Sequence, residues 1–454
     1  MVEMEIDGVK IEMTEGSMVM DAVKQMGKYV PHFCYHKKLS VAASCRMCLV
    51  EVEKAPKPLP ACATPVTPGM VVRTQVESVK AATAQKDVME FLLLNHPLDC
   101  PICDQGGECQ LQDLAVGYGK GSSRYAEEKR VVPHKEVGPL ISMEEMARCL
   151  QCTRCVRIGD EIAGVMELGM LGRGEHAEIT TFVGNAVNSE LSGNMIDLCP
   201  VGAITSKPYR YSARNWELSR RKSVSPHDSL GSNLIVQVKG NEAMRVLPLE
   251  NAEVNDCWIS DRDRFSYEGL TSDDRVTEPM IKRDGKWTKA SWDEAFAHAI
   301  EQIKAIKGQK GADKIGALAS NSATVEELYM LKALLNGLGS THIDVNLRQS
   351  DNTLSAAQQG TPWLGMPVAA FTDIHVALVV GSDLRAEHPL LAARLRQAAK
   401  RNAKISVIAA QAGDLLMKAN QKAAAPSTWL NELLAIEAGL ATEDKADASF
   451  VATT

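Results

Sequence analysis

Cys149, Cys152 and Cys155 stand at i, i+3 and i+6, and Cys199, followed by Pro200, answers them 44 positions after Cys155. Three thiolates on one loop with a distant fourth before a proline is the ligand spacing of a 4Fe-4S cluster. A structural zinc is the alternative, although zinc sites usually present two Cys-x-x-Cys pairs on separate knuckles. Whichever is bound, a chain that must carry four sulfurs to one place has its local fold decided by that requirement. Upstream, Ser142-Met143-Glu144-Glu145 reads as a capping box that opens a short helix into the cysteine loop.

The other cysteines make the same demand. Eleven of the twelve lie between Cys34 and Cys199. The start, Met1-Val2-Glu3-Met4-Glu5, lacks the basic-then-apolar layout of a signal peptide, and no apolar run approaches a membrane span in length. The expectation is a soluble chain in a reducing compartment, where clustered thiols mean metal rather than disulfides. Fifty basic against 57 acidic residues give a net charge of -7, which argues against nucleic acid as the main partner. With 454 residues the chain has room for two to four cores.

Residues 1–76 read as a β-rich domain. Val2 to Ile6 and Val9 to Met13 alternate around an Asp7-Gly8 turn, a helix runs from Met18 to Met26, and Cys48 to Val52 and Met70 to Thr74 supply further strands. That order suits a β-grasp. Its cysteines are Cys34, Cys45, Cys48 and Cys62, and the small loop residues Ala42, Ala43 and Ser44 let backbone N–H groups approach a negatively charged cluster. Plant-type ferredoxins hold a 2Fe-2S cluster on a β-grasp through a central Cys-x-x-Cys with a remote fourth thiolate, and this spacing departs from theirs only in the first gap. A four-thiolate zinc is the alternative.

A helix is expected from Glu77 to Asn95, with Val79, Ala82, Val88, Phe91 and Leu92 on its apolar face. His96, Cys100, Cys103 and Cys109 follow directly, with Gly106-Gly107 giving the backbone freedom to wrap a bulky group. A lone histidine is ordinarily a surface or core residue. Its place at a helix end, three residues before the first cysteine, points instead to ligation of a second 4Fe-4S cluster, whose potential a neutral nitrogen ligand should raise. The third set occupies residues 140–210, with a Gly-rich insertion from Met166 to Asn194 between its third and fourth thiolates. The basic, aromatic run Lys207, Tyr209, Arg210, Tyr211, Arg214, Trp216, Arg220, Arg221 and Lys222 reads as a solvated linker packed on a neighbouring domain.

Beyond Asn233 come the strand pair Leu234 to Val238 and Met244 to Pro248, then an alternation: a strand over Lys314 to Ala319, a helix from Val325 to Leu335 closed by Asn336-Gly337, a strand over Val376 to Val380, a helix over Pro389 to Lys400, and a strand over Ile405 to Ile408. This is a parallel α/β layout. Gly381-Ser382-Asp383 at a strand's carboxyl end reads as scaffold, since it has no Gly-rich fingerprint. There is no Walker motif, no Rossmann GxGxxG and no nucleophile elbow, and the Ala-rich tail from Ala423 to Thr454 reads as poorly ordered.

Taken in order, the three sets Cys34, Cys45, Cys48, Cys62; His96, Cys100, Cys103, Cys109; and Cys149, Cys152, Cys155, Cys199, with Val201-Gly202-Ala203-Ile204 after the last ligand as in ferredoxins, resemble the large iron-sulfur subunit of the proton-pumping NADH-quinone oxidoreductase, respiratory complex I. The resemblance is most specific over residues 1–210 and softer beyond, where the chain is similar to molybdopterin oxidoreductases. It implies a multidomain α+β and α/β chain: a β-grasp 2Fe-2S domain at 1–76, a His(Cys)3 4Fe-4S domain at 77–120, a ferredoxin-like 4Fe-4S domain at 140–210, a β-rich domain at 218–274 and a molybdopterin-oxidoreductase-like parallel α/β domain at 275–454, incomplete because the chain stops sooner than most members. It further implies one 2Fe-2S and two 4Fe-4S clusters that relay electrons, taken from NADH by a flavin in a partner subunit, to downstream iron-sulfur subunits and toward quinone. Such a subunit sits peripherally on the cytoplasmic side of a bacterial inner membrane and meets the membrane only through the complex.

One departure is specific. Some members, and formate dehydrogenases, carry a further cubane on C-x2-C-x3-C-x27-C, and here those positions read Ser225, Asp228, Ser232 and Ser260. The spacing survives without a thiolate, so the site reads as scaffold, with Cys257 a buried bystander. The rival readings are an NAD-linked hydrogenase or formate dehydrogenase subunit and a zinc-stapled structural protein. A hydrogenase catalytic cluster would need further cysteines, and none follow Cys257. The three sets are each expected to be locally self-contained.

Overall fold

The computed structural model describes residues 1–345, 360–361 and 363–442. It divides into two compact units, Met1–Tyr267 with Met366–Thr454, and Glu268–Gly365.

The first unit begins with the expected β-grasp. Strands β1 (Val2–Ile6) and β2 (Val9–Met13) pair antiparallel from Ile6 opposite Val9 to Val2 opposite Met13. Asp7 and Gly8 both take positive φ, 50° and 77°, as a two-residue hairpin turn matched to strand twist requires. Val2, Met4 and Ile6 therefore face one side and are buried. With β3 (Leu49–Val52), β4 (Leu59–Pro60) and β5 (Val71–Arg73), the sheet order is β2-β1-β5-β3-β4, in which β1 runs parallel to β5. Helix α1 (Val19–Gln25) starts where the Met18 N–H donates to Asp21 Oδ2 at 3.0 Å. It buries Val19, Met20, Ala22 and Val23 in the core that also holds Cys48 and Cys62.

Helix α2 (Val79–Leu93) is capped by Ser78, whose Oγ accepts from the Ala81 N–H at 3.0 Å. Its buried face is not the one the apolar spacing indicates. Val79 and Phe91 are exposed, and Ala81, Gln85, Met89 and Glu90 are buried, while Val88 and Leu92 lie at the edge of the core. The helix is oriented by polar anchors: Gln85 Nε2 donates to the Leu49 carbonyl at 2.9 Å, and Glu90 receives Arg124 Nη2 at 2.7 Å. After the second cysteine set, α3 (Gln110–Tyr118) buries Leu111 and Leu114.

The Ser142 capping box does not form. Ile141–Ser142 is a short strand paired with Thr205–Ser206, and a 3-10 turn over Met146–Arg148 leads into the cysteine loop. Ser142 Oγ accepts instead from Arg210 Nη1 at 2.9 Å, so a distant arginine takes the oxygen that a cap would use. Helix α4 (Arg154–Ile158) passes into a π-helical turn over Gly159–Ala163, and α5 (Asn194–Leu198) ends at Cys199. The strand pair expected near residue 240 is present as Asn233–Lys239 and Glu242–Pro248, joined by Ser219–Val224 as an exposed edge strand.

The rest of this unit is a three-stranded parallel sheet, Val376–Val380, Lys404–Ala409 and Asn420–Ala423, with helix Pro389–Lys400 between its first two strands. Gly381-Ser382-Asp383 serves as scaffold: the Asp383 carboxylate caps the short helix Leu384–Glu387 by accepting from the Ala386 N–H. The tail is more ordered than its composition indicates. Residues Trp429–Thr442 form a helix, with Trp429 Nε1 donating to the Ala424 carbonyl at 2.9 Å, because alanine and leucine favour helix strongly. Residues 443–454 of that tail lie outside the described residues.

The second unit holds a hairpin, Met280–Arg283 with Lys286–Lys289, the helix Trp292–Lys310, and a parallel strand pair Ala317–Leu318 with Ile343–Asp344 around the helix Val325–Leu338. That last helix outruns the expected Asn336-Gly337 stop and closes at Gly339, at a φ of 83°.

Candidate metal centres

The first set is the most deeply placed, with Cys34, Cys45, Cys48 and Cys62 all at or below 6% exposure. Cys34 and Cys45 lie on the loop between α1 and β3, Cys48 immediately precedes β3, and Cys62 sits in the 3-10 turn after β4. Ala43 and Arg46 take φ of 50° and 58°, which turns the loop around the sulfurs. The Cys34 N–H donates to Cys45 Sγ at 3.4 Å. The thiols interact with one another: hydrogen bonds with Cys45 and Cys62 hold Cys34 below its ordinary value, and the same bonds push Cys45 and Cys62 up. Four sulfurs that must share protons in this way form an electron-rich donor set suited to a cationic metal group.

The second set encloses a cavity of about 120 Å³, lined by His96, Cys100, Cys103 and Cys109 together with Gly106, Gly202 and Arg148. His96 reaches it because Lys129 Nζ caps the end of α2, donating to the Leu93 and Leu94 carbonyls at 3.0 and 2.8 Å. Burial, aided by the Arg148 charge, lowers the His96 pKa to about 4, so at neutral pH the ring is the neutral ligand form. Its Nδ1 is buried and has no hydrogen-bond partner. Side chains are excluded from the walls: a Cβ on Gly202 would lie 2.3 Å from Cys103 Sγ, and one on Gly106 would lie 2.9 Å from the Cys100 carbonyl oxygen. An orphaned imidazole nitrogen, three thiols and two glycines bordering one space fit a polynuclear cluster.

The third set comes from two places, the Cys149 to Cys155 loop and the end of α5. Gln151 and Thr153 alternate with the cysteines at φ of 47° and 61°, and the Gln151 N–H donates to Cys149 Sγ at 3.4 Å. Burial raises the Cys199 thiol to about 11, while the backbone N–H groups of Val201, Ile204 and Ala203 pull against that rise. Amide donors aimed at sulfur stabilise the thiolate, the form a cluster needs. Among the described residues no three or more His, Cys, Asp or Glu side chains are grouped as a single metal ion would hold them.

The sets are not self-contained, because buried arginines tie them together. Arg157 Nη2 donates to the carbonyls of Cys34, at 2.5 Å, and Cys152, at 3.2 Å. Arg154 joins the same two sets through the Tyr35 and Leu198 carbonyls, at 2.8 and 3.3 Å. Between the second and third sets, Cys109 Sγ donates to the Pro200 carbonyl at 3.7 Å, and Gly202, just past Cys199, lies against Cys103. The basic, aromatic run does pack on a neighbour, and specifically on the second set's loop. Arg214 Nη1 donates to the Cys103 carbonyl at 2.6 Å, Asn215 Nδ2 donates to Gly107 O at 2.8 Å, and Trp216 leaves no room for a side chain at Gly107. Arg220, Arg221 and Lys222 remain exposed on their edge strand. No sequence motif marks these arginines beyond the basic composition of the run.

At the fourth position set, the side chains satisfy one another. Ser225 Oγ and Ser260 Oγ donate to the Asp263 carboxylate at 2.5 and 2.9 Å, and Ser232 Oγ donates to Asp228. Ser225, Ser232, Ser260 and Asp263 are all buried. Cys257 is half-buried rather than buried, and burial together with Asp256 and Glu250 raises its thiol to about 12.

The comparisons with known proteins follow the same divisions. Residues 1–77 match a 2Fe-2S iron-sulfur cluster binding domain, 85–124 the NADH-ubiquinone oxidoreductase-G iron-sulfur binding region, and 138–205 the ferredoxin-like domain of NADH-quinone oxidoreductase subunit 3. Residues 218–268 match the NDSU1/NuoG-like 4Fe-4S domain, and 275–448 match molybdopterin oxidoreductase. A NuoG-type subunit of the NADH-quinone oxidoreductase of Rickettsia felis is 48% identical over 397 residues, 87% of this chain and 58% of that protein. The chain belongs to the NuoG family of NADH-quinone oxidoreductase subunits.

The NADH-ubiquinone oxidoreductase 75 kDa subunit of Reclinomonas americana is 44% identical over 87% of this chain and 58% of its own length. The mitochondrial NADH dehydrogenase iron-sulfur protein 1 of Solanum tuberosum is also 44% identical, over 90% of this chain and 54% of its own. The chain thus spans somewhat over half the length of these relatives. Among solved structures, an NAD+-reducing NiFe-hydrogenase in the H2-reduced state aligns at 26% identity over 47% of this chain and 90% of that one, with a TM-score of 0.43. The architecture is an N-terminal 2Fe-2S ferredoxin domain, then 4Fe-4S domains, then a molybdopterin oxidoreductase domain. Among the described residues no helix is long and apolar enough to cross a membrane.

Proposed function

We propose that this chain is the electron-relay part of a respiratory NADH-quinone oxidoreductase. It holds one 2Fe-2S cluster on Cys34, Cys45, Cys48 and Cys62, one 4Fe-4S cluster on His96, Cys100, Cys103 and Cys109, and another on Cys149, Cys152, Cys155 and Cys199. It takes electrons that originate in NADH from a flavin-bearing partner and passes them to further iron-sulfur subunits on the way to quinone, within a complex that translocates protons at a bacterial inner membrane. The accompanying division is 1–76, 77–120 and 140–210 for the three centres, 218–274 for the domain whose cluster is lost, and 275–454 for the α/β scaffold.

The observation that carries this reading is the meeting of three complete donor sets in one compact unit, with shared residues between them. Bound clusters of this kind take up and release single electrons. The chain's own residues ligate, keep most of the sulfurs from water, and donate N–H groups to sulfur; each of these sets potential. The fourth set is occupied by its own hydrogen bonds, which leaves no free acceptor arrangement for iron.

A reductive titration of the anaerobically purified chain tests the proposal. Three independent one-electron components, each bleaching visible absorption as it is reduced, are expected. A colourless protein holding zinc would contradict it.

A further inference from the structure

Arg148 immediately precedes Cys149 and so belongs by sequence to the third set, yet its guanidinium borders the cavity of the second. It is 3% exposed. Two of its three nitrogens are engaged: Nε donates to Asp99 Oδ2 at 2.9 Å, and Nη1 to the Gly202 carbonyl at 3.3 Å. Asp99 precedes Cys100 in the chain, and Gly202 lies against Cys103. The guanidinium is therefore clamped by neighbours of two cysteines of the second set. The third nitrogen, Nη2, is buried and has no partner. A buried donor on a permanent cation is costly to leave unsatisfied, so its presence beside a cavity bordered by thiols calls for an anionic acceptor inside.

We propose that Arg148 is a positioning residue for the second cluster: its unpartnered Nη2 and its charge act on the group held by His96, Cys100, Cys103 and Cys109, raising that cluster's potential above the value its ligands alone would give. This rests on the relay reading. One-electron reduction adds a negative charge to the cluster, and a cation at hydrogen-bonding range favours the reduced form. Because the backbone of Arg148 runs straight into the third set, the residue favours the second cluster as the place where an electron arriving at the third would settle. Asp99 opposes it, since a carboxylate on Nε offsets part of the charge.

The test is a redox titration of the full iron-loaded chain, followed by electron paramagnetic resonance, on wild type, Arg148→Gln, Arg148→Lys and Asp99→Asn. In Arg148→Gln the second cluster should be about tenfold less reduced at a fixed potential, a shift of about 59 mV to the negative, with the first cluster unmoved. Arg148→Lys, which keeps the charge, should restore most of the shift. Asp99→Asn should move the potential the opposite way. Opposite signs from two substitutions in one ion pair would not arise from mere loosening. A loaded Arg148→Gln chain with an unchanged potential overturns this inference alone, as does an equal shift in all three clusters. Should Arg148→Gln lose the second cluster, an Asp99→Asn potential equal to wild type overturns it instead. Absence of the second cluster from wild type overturns the relay reading, and this one with it.

Discussion

Asp263→Ala tests whether the fourth position set is held by its own hydrogen bonds. The carboxylate is 2% exposed and takes two serine hydroxyls, Ser225 at 2.5 Å and Ser260 at 2.9 Å. Removing it strands two buried donors, each worth about 1.5–3 kcal/mol when its acceptor is charged. Relief from burying a carboxylate offsets part of this, since burial raises the Asp263 pKa. The net local loss should be about 3 kcal/mol, or roughly two orders of magnitude in the opening equilibrium. Amide hydrogen exchange over residues 225–232 and 260–265 reads that opening directly, and exchange there should accelerate by about a hundredfold while iron content stays at the wild-type value. Exchange unchanged within threefold would show that the knot stabilises nothing. A fall in iron would show that the site carries a cluster.

Two further outcomes follow. His96→Ala should lower iron by about four per chain, one cubane's worth, while the resonance signals of the first and third clusters persist; loss of all three signals would mean that the shared arginines make assembly all-or-none. The raised Asp263 pKa also gives the exchange a pH dependence. The folded form holds this proton more tightly than the unfolded form, so the stabilising contribution is full below the ordinary carboxyl value of 3.8 and is lost as pH rises through the raised folded value. Protection of the segment 260–265, corrected for intrinsic exchange, should decline over that window and flatten in Asp263→Asn; a flat wild-type profile would refute the assignment.

What could be read in the sequence was what local chemistry decides. The cysteine spacings stand out because ligands must be supplied at fixed intervals, and the Asp7-Gly8 hairpin because only a few residues accept its positive φ values. Three things were not legible, each for a tertiary reason. The face of α2 follows Gln85 and Glu90, whose partners Leu49 and Arg124 lie far away in the chain, so apolar periodicity chose Val79 and Phe91 wrongly. Ser142 has the pattern of a cap but is claimed by Arg210. Arg148, Arg154, Arg157 and Arg214 read as ordinary surface charge, yet each donates to backbone carbonyls around the sulfurs. Only the fold reveals that these carbonyls were in need of donors.

The central claim is that three sets, and not four, are loaded. Iron and acid-labile sulfide, counted per chain after anaerobic purification, test it most directly. The account predicts about ten irons, from one 2Fe-2S and two 4Fe-4S clusters. About fourteen would place a cubane at Ser225, Asp228, Ser232 and Ser260, and zinc in place of iron would contradict the relay altogether.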